Sequence, residues 1–70
     1  MAKENRIGAE RVRLGFTQEE LGEKLGVTAK SVSQWETGRS ACPAKRLVDM
    51  SHLFGCTTDW LLGLSDKRTA

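Results

Sequence analysis

The chain has 70 residues and a formal net charge of +2, with two Trp, two Phe and no Tyr. Because a chain this short forms one domain at most, we expect a single domain. Such a domain buries only about 60% of the surface that its unfolded form exposes. Regularly spaced aliphatic residues with few strand-forming aromatics favour an all-α fold over a sheet. The sequence has neither a signal peptide nor the roughly 20 consecutive apolar residues that span a bilayer, which excludes a membrane protein and predicts a cytoplasmic one.

Five glycines separate stretches of helical length, and glycine commonly ends a helix in the left-handed conformation. They are Gly15, Gly26, Gly38, Gly55 and Gly63. The sequence therefore predicts a bundle of five short helices. The first is expected over residues 4–14, with Ile7, Arg11 and Leu14 on one face.

The stretch from position 17 to position 37 predicts two helices joined by a tight turn. Thr17 and Glu20 have the Thr-x-x-Glu spacing of a capping box, so the second helix is expected over residues 17–25. Thr28 is placed to cap a third helix over residues 28–37. Helices joined by so short a turn cross at about 90–120° and need a small side chain where their axes approach, which Gly22 provides. The side chains expected to fill the wedge between them are Leu21, Leu25, Val32 and Trp35.

The remaining residues predict two further helices and a tail. Pro43 stands at the start of the fourth helix, where its missing N–H is not needed, and Gly55 ends it. The inward face of this helix is expected to carry Leu47, Met50 or Ser51, and Phe54. Thr57 caps a short fifth helix that contains residues 59–62. The folded core is thus expected over about residues 4–64, with a frayed tail at 65–70.

Positive charge is concentrated around the third helix and the segment that follows it. Between positions 28 and 50, the negative residues are Glu36 and Asp49, and the positive ones are Lys30, Arg39, Lys45 and Arg46. A solvated basic surface would have the same charge count, so position must distinguish it from a nucleic-acid contact. The apolar positions of the third helix leave an outward face formed by Ala29, Lys30, Ser33, Gln34 and Thr37.

These residues and spacings resemble the Cro/repressor helix-turn-helix family, also called the XRE family, of phage and bacterial regulators. The resemblance covers about residues 5–64, through the stretches LGFTQEELGEKLGVTAKSVSQWETG and LFGCTTDWLLG. It implies a compact, lambda-repressor-like bundle in which helices 2 and 3 form the helix-turn-helix. It also implies a bacterial or phage transcriptional regulator, a repressor or Cro-like protein, that binds double-stranded DNA as a homodimer on a near-palindromic operator. No cofactor and no enzymatic activity are expected.

The same resemblance assigns base contacts to the start of the third helix, which would enter the major groove. The residues are Thr28, Ala29, Lys30, Ser33 and Gln34. Lys30 can donate to guanine O6 and N7, and Gln34 can pair with adenine N6 and N7. Ala29 or the Thr28 methyl group can touch a thymine methyl group. A merely solvated helix face is the alternative for Lys30 and Gln34.

Phosphate contacts and framework roles follow from the resemblance as well. The expected phosphate contacts are Gln18, Thr37, Arg39, Lys45 and Arg46. Arg11 and Glu36 would form an ion pair that ties helix 1 to the end of helix 3, and Trp35 would lie in the core rather than stack on single strands. Thr58 and Leu61 match positions of dimer contacts, although Leu61 is equally suited to the core.

The sequence departs from the common family pattern in three places. Gly22 stands where alanine is more usual, which keeps the close approach but weakens helix 2 by about 1 kcal/mol. Ala29 is shorter than the polar residue often found there. The loop at residues 40–43 varies in length across the family, which leaves the carry-over to Lys45 open.

Other classes of function find little support. Cys42 and Cys56 form no Cys-x-x-Cys pair and are interpreted as packing residues, with His52 on a helix surface. A metal site built from these three would lack a fourth ligand of suitable spacing. A protein-interaction module of the antitoxin kind would not need the basic cluster of Lys30, Arg39 and Lys45. No nucleophile, base or phosphate-binding loop has the context that an enzyme needs.

Overall fold

The computed structural model of the chain describes residues 5–69, and every regular element in this part is a helix. The helices are α1 (Ile7–Arg13), α2 (Gln18–Leu25), α3 (Ala29–Thr37), α4 (Ala44–Phe54) and α5 (Thr58–Leu61). The predicted all-α bundle of five helices is therefore confirmed for residues 5–69. No helix within this range is long and apolar enough to cross a membrane.

Local capping sets most of the helix ends. The hydroxyl oxygens of Thr17, Thr28 and Thr57 each accept a hydrogen bond from a backbone N–H three residues later, at 3.0 to 3.1 Å. The Glu20 carboxylate accepts the Thr17 N–H at 2.9 Å, which completes the predicted capping box. All five glycines that were predicted to end helices have positive φ, between 73° and 78°. Since these caps depend on neighbours in the chain, the sequence predicted them correctly.

Helix α1 is shorter than predicted, because it begins at Ile7. The Asn5 Oδ1 atom accepts the Ile7 N–H at 3.1 Å, while the Asn5 Nδ2 atom donates to the Trp35 carbonyl at 2.8 Å. The side chain therefore holds the chain before α1 against the last turn of α3. Position 4, where the helix was expected to begin, lies outside the described residues.

The hydrophobic core lies where α2 and α3 pack on each other and on the other three helices. Its buried members are Ile7, Leu21, Leu25, Val32, Trp35, Leu47, Met50, Phe54 and Leu61. In α4 both Met50 and Ser51 are buried, which resolves the alternative left open by the sequence. Leu14, expected beside Ile7, is 38% exposed. The buried residues of α1 are instead Ile7 and Glu10.

The C-terminal tail is folded back onto the bundle. The Arg68 guanidinium donates to both carboxylate oxygens of Glu10, at 2.8 and 3.0 Å, and to the Phe54 carbonyl at 2.7 Å. The Thr57 N–H donates to the Arg68 carbonyl at 2.9 Å. The predicted frayed tail is therefore wrong for residues 65–69, since a buried carboxylate requires charged donors and Arg68 supplies them. The last residue lies outside the described range.

Glu10 is the centre of this cluster. Besides Arg68, the Arg13 Nε atom donates to it at 3.0 Å and the Trp60 Nε1 atom at 3.1 Å. The hydrogen bond from Arg68 contributes most to lowering the pKa of Glu10 from 4.5 to about 2, against the opposing effect of burial. The cluster joins α1, the end of α4, α5 and the tail into one unit.

Candidate nucleic-acid interface

Helix α3 separates a buried face from an outward face, as its sequence period predicts. Val32 and Trp35 are buried in the core, so Trp35 is not available for stacking on a nucleic acid. On the other side, Lys30 and Thr37 are exposed, and Ala29, Ser33 and Gln34 are half-buried. The structure thus places the predicted base-contact residues of α3 on one accessible strip, which consists of Ala29, Lys30, Ser33 and Gln34.

The hydroxyl groups at the two ends of this strip are engaged within the protein. Thr28 Oγ1 accepts the Ser31 N–H and donates to Ser31 Oγ, both at 3.1 Å, so its methyl group is the part left for a base. Thr37 Oγ1 donates to the Ser33 carbonyl at 3.0 Å. Because a phosphate oxygen needs a donor, Thr37 would have to release this bond to contact one. The cap at Thr28 was expected from the sequence, whereas the bond from Thr37 to the Ser33 carbonyl was not.

Glu36, next to the strip, joins three helices. Arg11 Nε donates to Glu36 Oε2 at 2.7 Å and Arg11 Nη2 to Oε1 at 3.2 Å, so the predicted ion pair is present and bidentate. Its side chains are only 16% and 12% exposed. A Cβ atom at Gly8 would stand 2.9 Å from Glu36 Oε1, so the small residue gives the carboxylate its room. The ion pair therefore holds α3 at a defined distance from α1.

Gln18 opens α2 and also reaches Glu36. Its Nε2 atom donates to Glu36 Oε1 at 3.3 Å, which draws the side chain toward the end of α3. The first turn of α2 satisfies the N–H groups of Glu20 and Leu21 through Thr17, which leaves those of Gln18 and Glu19 directed outward. A phosphate could meet these two N–H groups, and the partial positive charge of the helix end would favour it.

Two of the predicted basic contacts are exposed and one is not. Arg39 follows α3 and Lys45 lies in the first turn of α4, both accessible to solvent. The Arg46 side chain is 30% exposed and donates from Nη1 to the Leu25 carbonyl at 2.7 Å. Arg46 is therefore bound to the end of α2, a role that the sequence did not indicate, and its side chain is less exposed than those of Arg39 and Lys45.

The two predicted dimer contacts have different environments. Leu61 is fully buried in the core, so its assignment as a dimer contact is wrong and the core alternative is correct. Leu61 is the last residue of α5 and the one residue of this helix that is buried. Thr58 is half-buried at the start of α5. Two exposed apolar side chains lie just beyond α5, at Leu62 and Leu64.

The cysteines lie in the packing shell, as expected. Cys42 and Cys56 are partly buried, pack against the core and are free thiols, while His52 is exposed on α4. Burial raises the pKa of Cys42 to about 11, which keeps its thiol protonated at neutral pH. Among residues 5–69, no three His, Cys, Asp or Glu side chains approach closely enough to hold a metal ion.

A protein-family model described as helix-turn-helix matches residues 7–61 of this chain. The chain belongs to the helix-turn-helix family. The matched range contains all five helices of the described part, from Ile7 to Leu61, and includes the capped turn between α2 and α3. The predicted membership in the Cro/repressor group is confirmed by the relatives of this helix-turn-helix domain, which are phage and bacterial regulators.

Two curated relatives illustrate the similarity. The HTH-type transcriptional regulator DicA of Escherichia coli K12 is 39% identical over 64 residues, which are 90% of this chain and 47% of DicA. Repressor protein C2 of Salmonella phage P22 is 35% identical over 57 residues, which are 81% of this chain and 26% of C2. The domain thus spans about half or less of the length of these relatives.

A solved structure has the same fold. It is the crystal structure of the P22 c2 repressor protein in complex with synthetic operator 9T, with a TM-score of 0.78 and 33% sequence identity to this helix-turn-helix domain. The match covers 86% of this chain and 91% of that one. The predicted repressor-like bundle is therefore confirmed.

Proposed function

We propose that this domain binds double-stranded DNA sequence-specifically as a transcriptional regulator, in the manner of a repressor or Cro-like protein. The observation that carries the proposal is the accessible strip on α3, in a fold shared with a repressor solved on its operator. In such a fold the N-terminal half of the second helix of the motif enters the major groove. The function is one of binding, and we propose no catalytic step for it.

Lys30 and Gln34 carry most of the proposed base reading. They lie on adjacent turns of the outward face of α3, with Ser33 beside them. Lysine can donate to guanine, and glutamine can pair with adenine through two bonds, each good pair contributing about 1–3 kcal/mol of discrimination. Ala29 and the Thr28 methyl group offer apolar contact to a thymine methyl group.

The proposed phosphate contacts surround the strip. Arg39 and Lys45 offer exposed positive charges after α3 and at the start of α4. Gln18 contributes through the outward N–H groups at the start of α2, and Thr37 through its hydroxyl once it turns away from the Ser33 carbonyl. Each lysine or arginine that neutralises a phosphate steepens the dependence of log K on log salt by about 0.9, so the affinity should fall sharply with added salt.

The proposed partner on DNA is a second copy of the domain, on a near-palindromic operator. Half-sites of such operators lie about 34–36 Å apart, one helical turn of DNA. Thr58 at the start of α5 remains the candidate dimer contact, because it is partly accessible. A regulator of this kind, encoded by a bacterium or by a phage, would act in the bacterial cytoplasm.

Selection of binding sites from random duplexes tests this proposal directly. We expect enrichment of an inverted repeat by the unaltered chain. Lys30→Ala and Gln34→Ala should each relax the selected sequence at particular positions, whereas Lys67→Ala, an exposed lysine of the tail, should leave it unchanged. A chain that enriches no sequence would contradict the proposal and favour a protein partner instead.

A further inference from the structure

The guanidinium of Arg46 is bound to the end of α2, and its side chain is only 30% exposed. Its Nη1 atom lies 2.7 Å from the Leu25 carbonyl, which belongs to the last residue of α2. We propose that Arg46 is a positioning residue for sequence reading, which holds the end of α2 and thereby the start of α3. This inference rests on the proposed function, because it concerns how the reading strip is placed.

The carbonyl that Arg46 binds would otherwise lack a partner within its helix. At the end of α2, the Val27 N–H bonds the Gly22 carbonyl and the Gly26 N–H bonds the Glu23 carbonyl. The Leu25 carbonyl lies beyond the reach of these bonds, as the last carbonyls of a helix do. A guanidinium there supplies a charged hydrogen bond and complements the negative end of the helix dipole.

A carboxylate of the same helix lies near the guanidinium. Asp49, three residues further along α4, places its Oδ2 atom 3.9 Å from Arg46 Nη1. The neighbouring Lys45 has an exposed side chain. These adjacent positive residues in the first turn of α4 thus differ in their partners, since Arg46 is bound to the protein backbone and Lys45 is available to DNA.

The end of α2 is in direct backbone contact with the start of α3. A Cβ atom on Gly22 would stand 2.6 Å from the Val27 carbonyl oxygen, 3.2 Å from the Thr28 carbonyl carbon and 3.3 Å from the Ala29 nitrogen. Because backbone meets backbone at Gly22, a displacement of the last turn of α2 also displaces residues 28–30. These are the first residues of the proposed reading strip.

The test compares Arg46→Met with Lys45→Met. Each variant is titrated with the selected duplex and with a random duplex over a range of salt, at a temperature where circular dichroism shows both to be folded. For Arg46→Met we expect the ratio of specific to random affinity to fall about tenfold, the size of one mismatched base pair, with the salt slope unchanged. For Lys45→Met we expect the slope to fall by about 0.9 with the ratio unchanged.

Two further measurements distinguish positioning from a loss of stability alone. In the free protein, the backbone amide resonances of residues 26–29 should shift in Arg46→Met and not in Lys45→Met. Arg46→Lys, which keeps the charge, should recover only part of the ratio, because an ammonium group on a flexible stem does not reproduce the fixed direction in which the guanidinium donates. If Arg46→Met does not fold, Arg46→Lys carries the test alone.

The outcomes that overturn the inference are separate from those that overturn the function. A salt slope that falls by about 0.9 in Arg46→Met would make this residue a phosphate contact. An unchanged ratio in a folded Arg46→Met, or in Arg46→Lys if Arg46→Met does not fold, would mean that Arg46 does not position the strip. An unaltered chain that prefers no sequence would overturn the proposed function and this inference together.

Discussion

Replacing Glu10 by glutamine removes a buried negative charge while keeping the size of the side chain. The carboxylate accepts hydrogen bonds from Arg13, Arg68 and Trp60, and its pKa is lowered from 4.5 to about 2. A depression of this size corresponds to about 3 kcal/mol in favour of the charged, folded form. We therefore expect Glu10→Gln to lose about 3 kcal/mol of stability at neutral pH, or roughly 12–24 °C in melting temperature for a domain of this size.

The sign of the pH dependence follows from the direction of the shift. Because the pKa of Glu10 is lower in the folded state, its contribution is fully present above about pH 4.5 and is lost as the pH falls toward 2. The difference in unfolding free energy between the unaltered chain and Glu10→Gln should therefore shrink over this range. Urea denaturation followed by circular dichroism at several pH values measures it.

A matched control separates this effect from general loss of charge. Glu23 is an exposed carboxylate on α2, and Glu23→Gln should change the stability by less than about 0.5 kcal/mol. A Glu10→Gln variant that loses less than about 1 kcal/mol at pH 7, or loses as much at pH 2 as at pH 7, would refute the reasoning.

Three further substitutions test the framework that holds the strip. Glu36→Ala leaves Arg11 without its nearly buried partner, so chemical denaturation should show a loss of about 3–5 kcal/mol, and near-normal stability would contradict the structural role of the pair. Gly22→Ala should lower the melting temperature, because the new Cβ atom would stand 2.6 Å from the Val27 carbonyl oxygen. The resulting strain of about 1–3 kcal/mol exceeds the roughly 1 kcal/mol gained in helix propensity, and a rise in melting temperature would refute this. Leu61→Ala should lose about 2–5 kcal/mol of stability by opening a cavity in the core. Sedimentation should show unchanged self-association, and a weakened self-association would mean that Leu61 is a dimer contact.

The fold was predictable because its elements are specified by residues close together in the chain. Thr17, Thr28 and Thr57 cap helices through bonds that span three residues, and glycines with positive φ end them. The outward strip of α3 follows from the same local logic, since a period of 3.6 residues places Val32 and Trp35 inward. The spacing of capping and core residues also carried the resemblance to the family, and the match of the family model over residues 7–61 and the similarity to DicA confirm it.

The family resemblance predicted the partner of Arg11, but the sequence did not predict those of Arg68 and Arg46. Arg68 lies 58 residues from Glu10, and Arg46 lies 21 residues from Leu25. The charge pattern placed Arg46 in the basic surface, and the position of the tail after the last helix predicted fraying. Neither pattern records which groups lie within reach of a side chain. The error with Leu61 has a related origin, since a one-turn helix shows no period from which its inward side can be determined.

By itself, then, the sequence determined the helices, the turn and the face of α3 that is left for a partner, because caps and periodicity act over a few residues. Only the tertiary structure decided which charges are bound within the protein and which remain exposed for the proposed DNA contact. Arg46 and Lys45 are neighbours of the same sign, yet one is bound to the Leu25 carbonyl and the other is exposed. The difference arises because a guanidinium binds the unsatisfied oxygen that the packing of the helices brings within its reach.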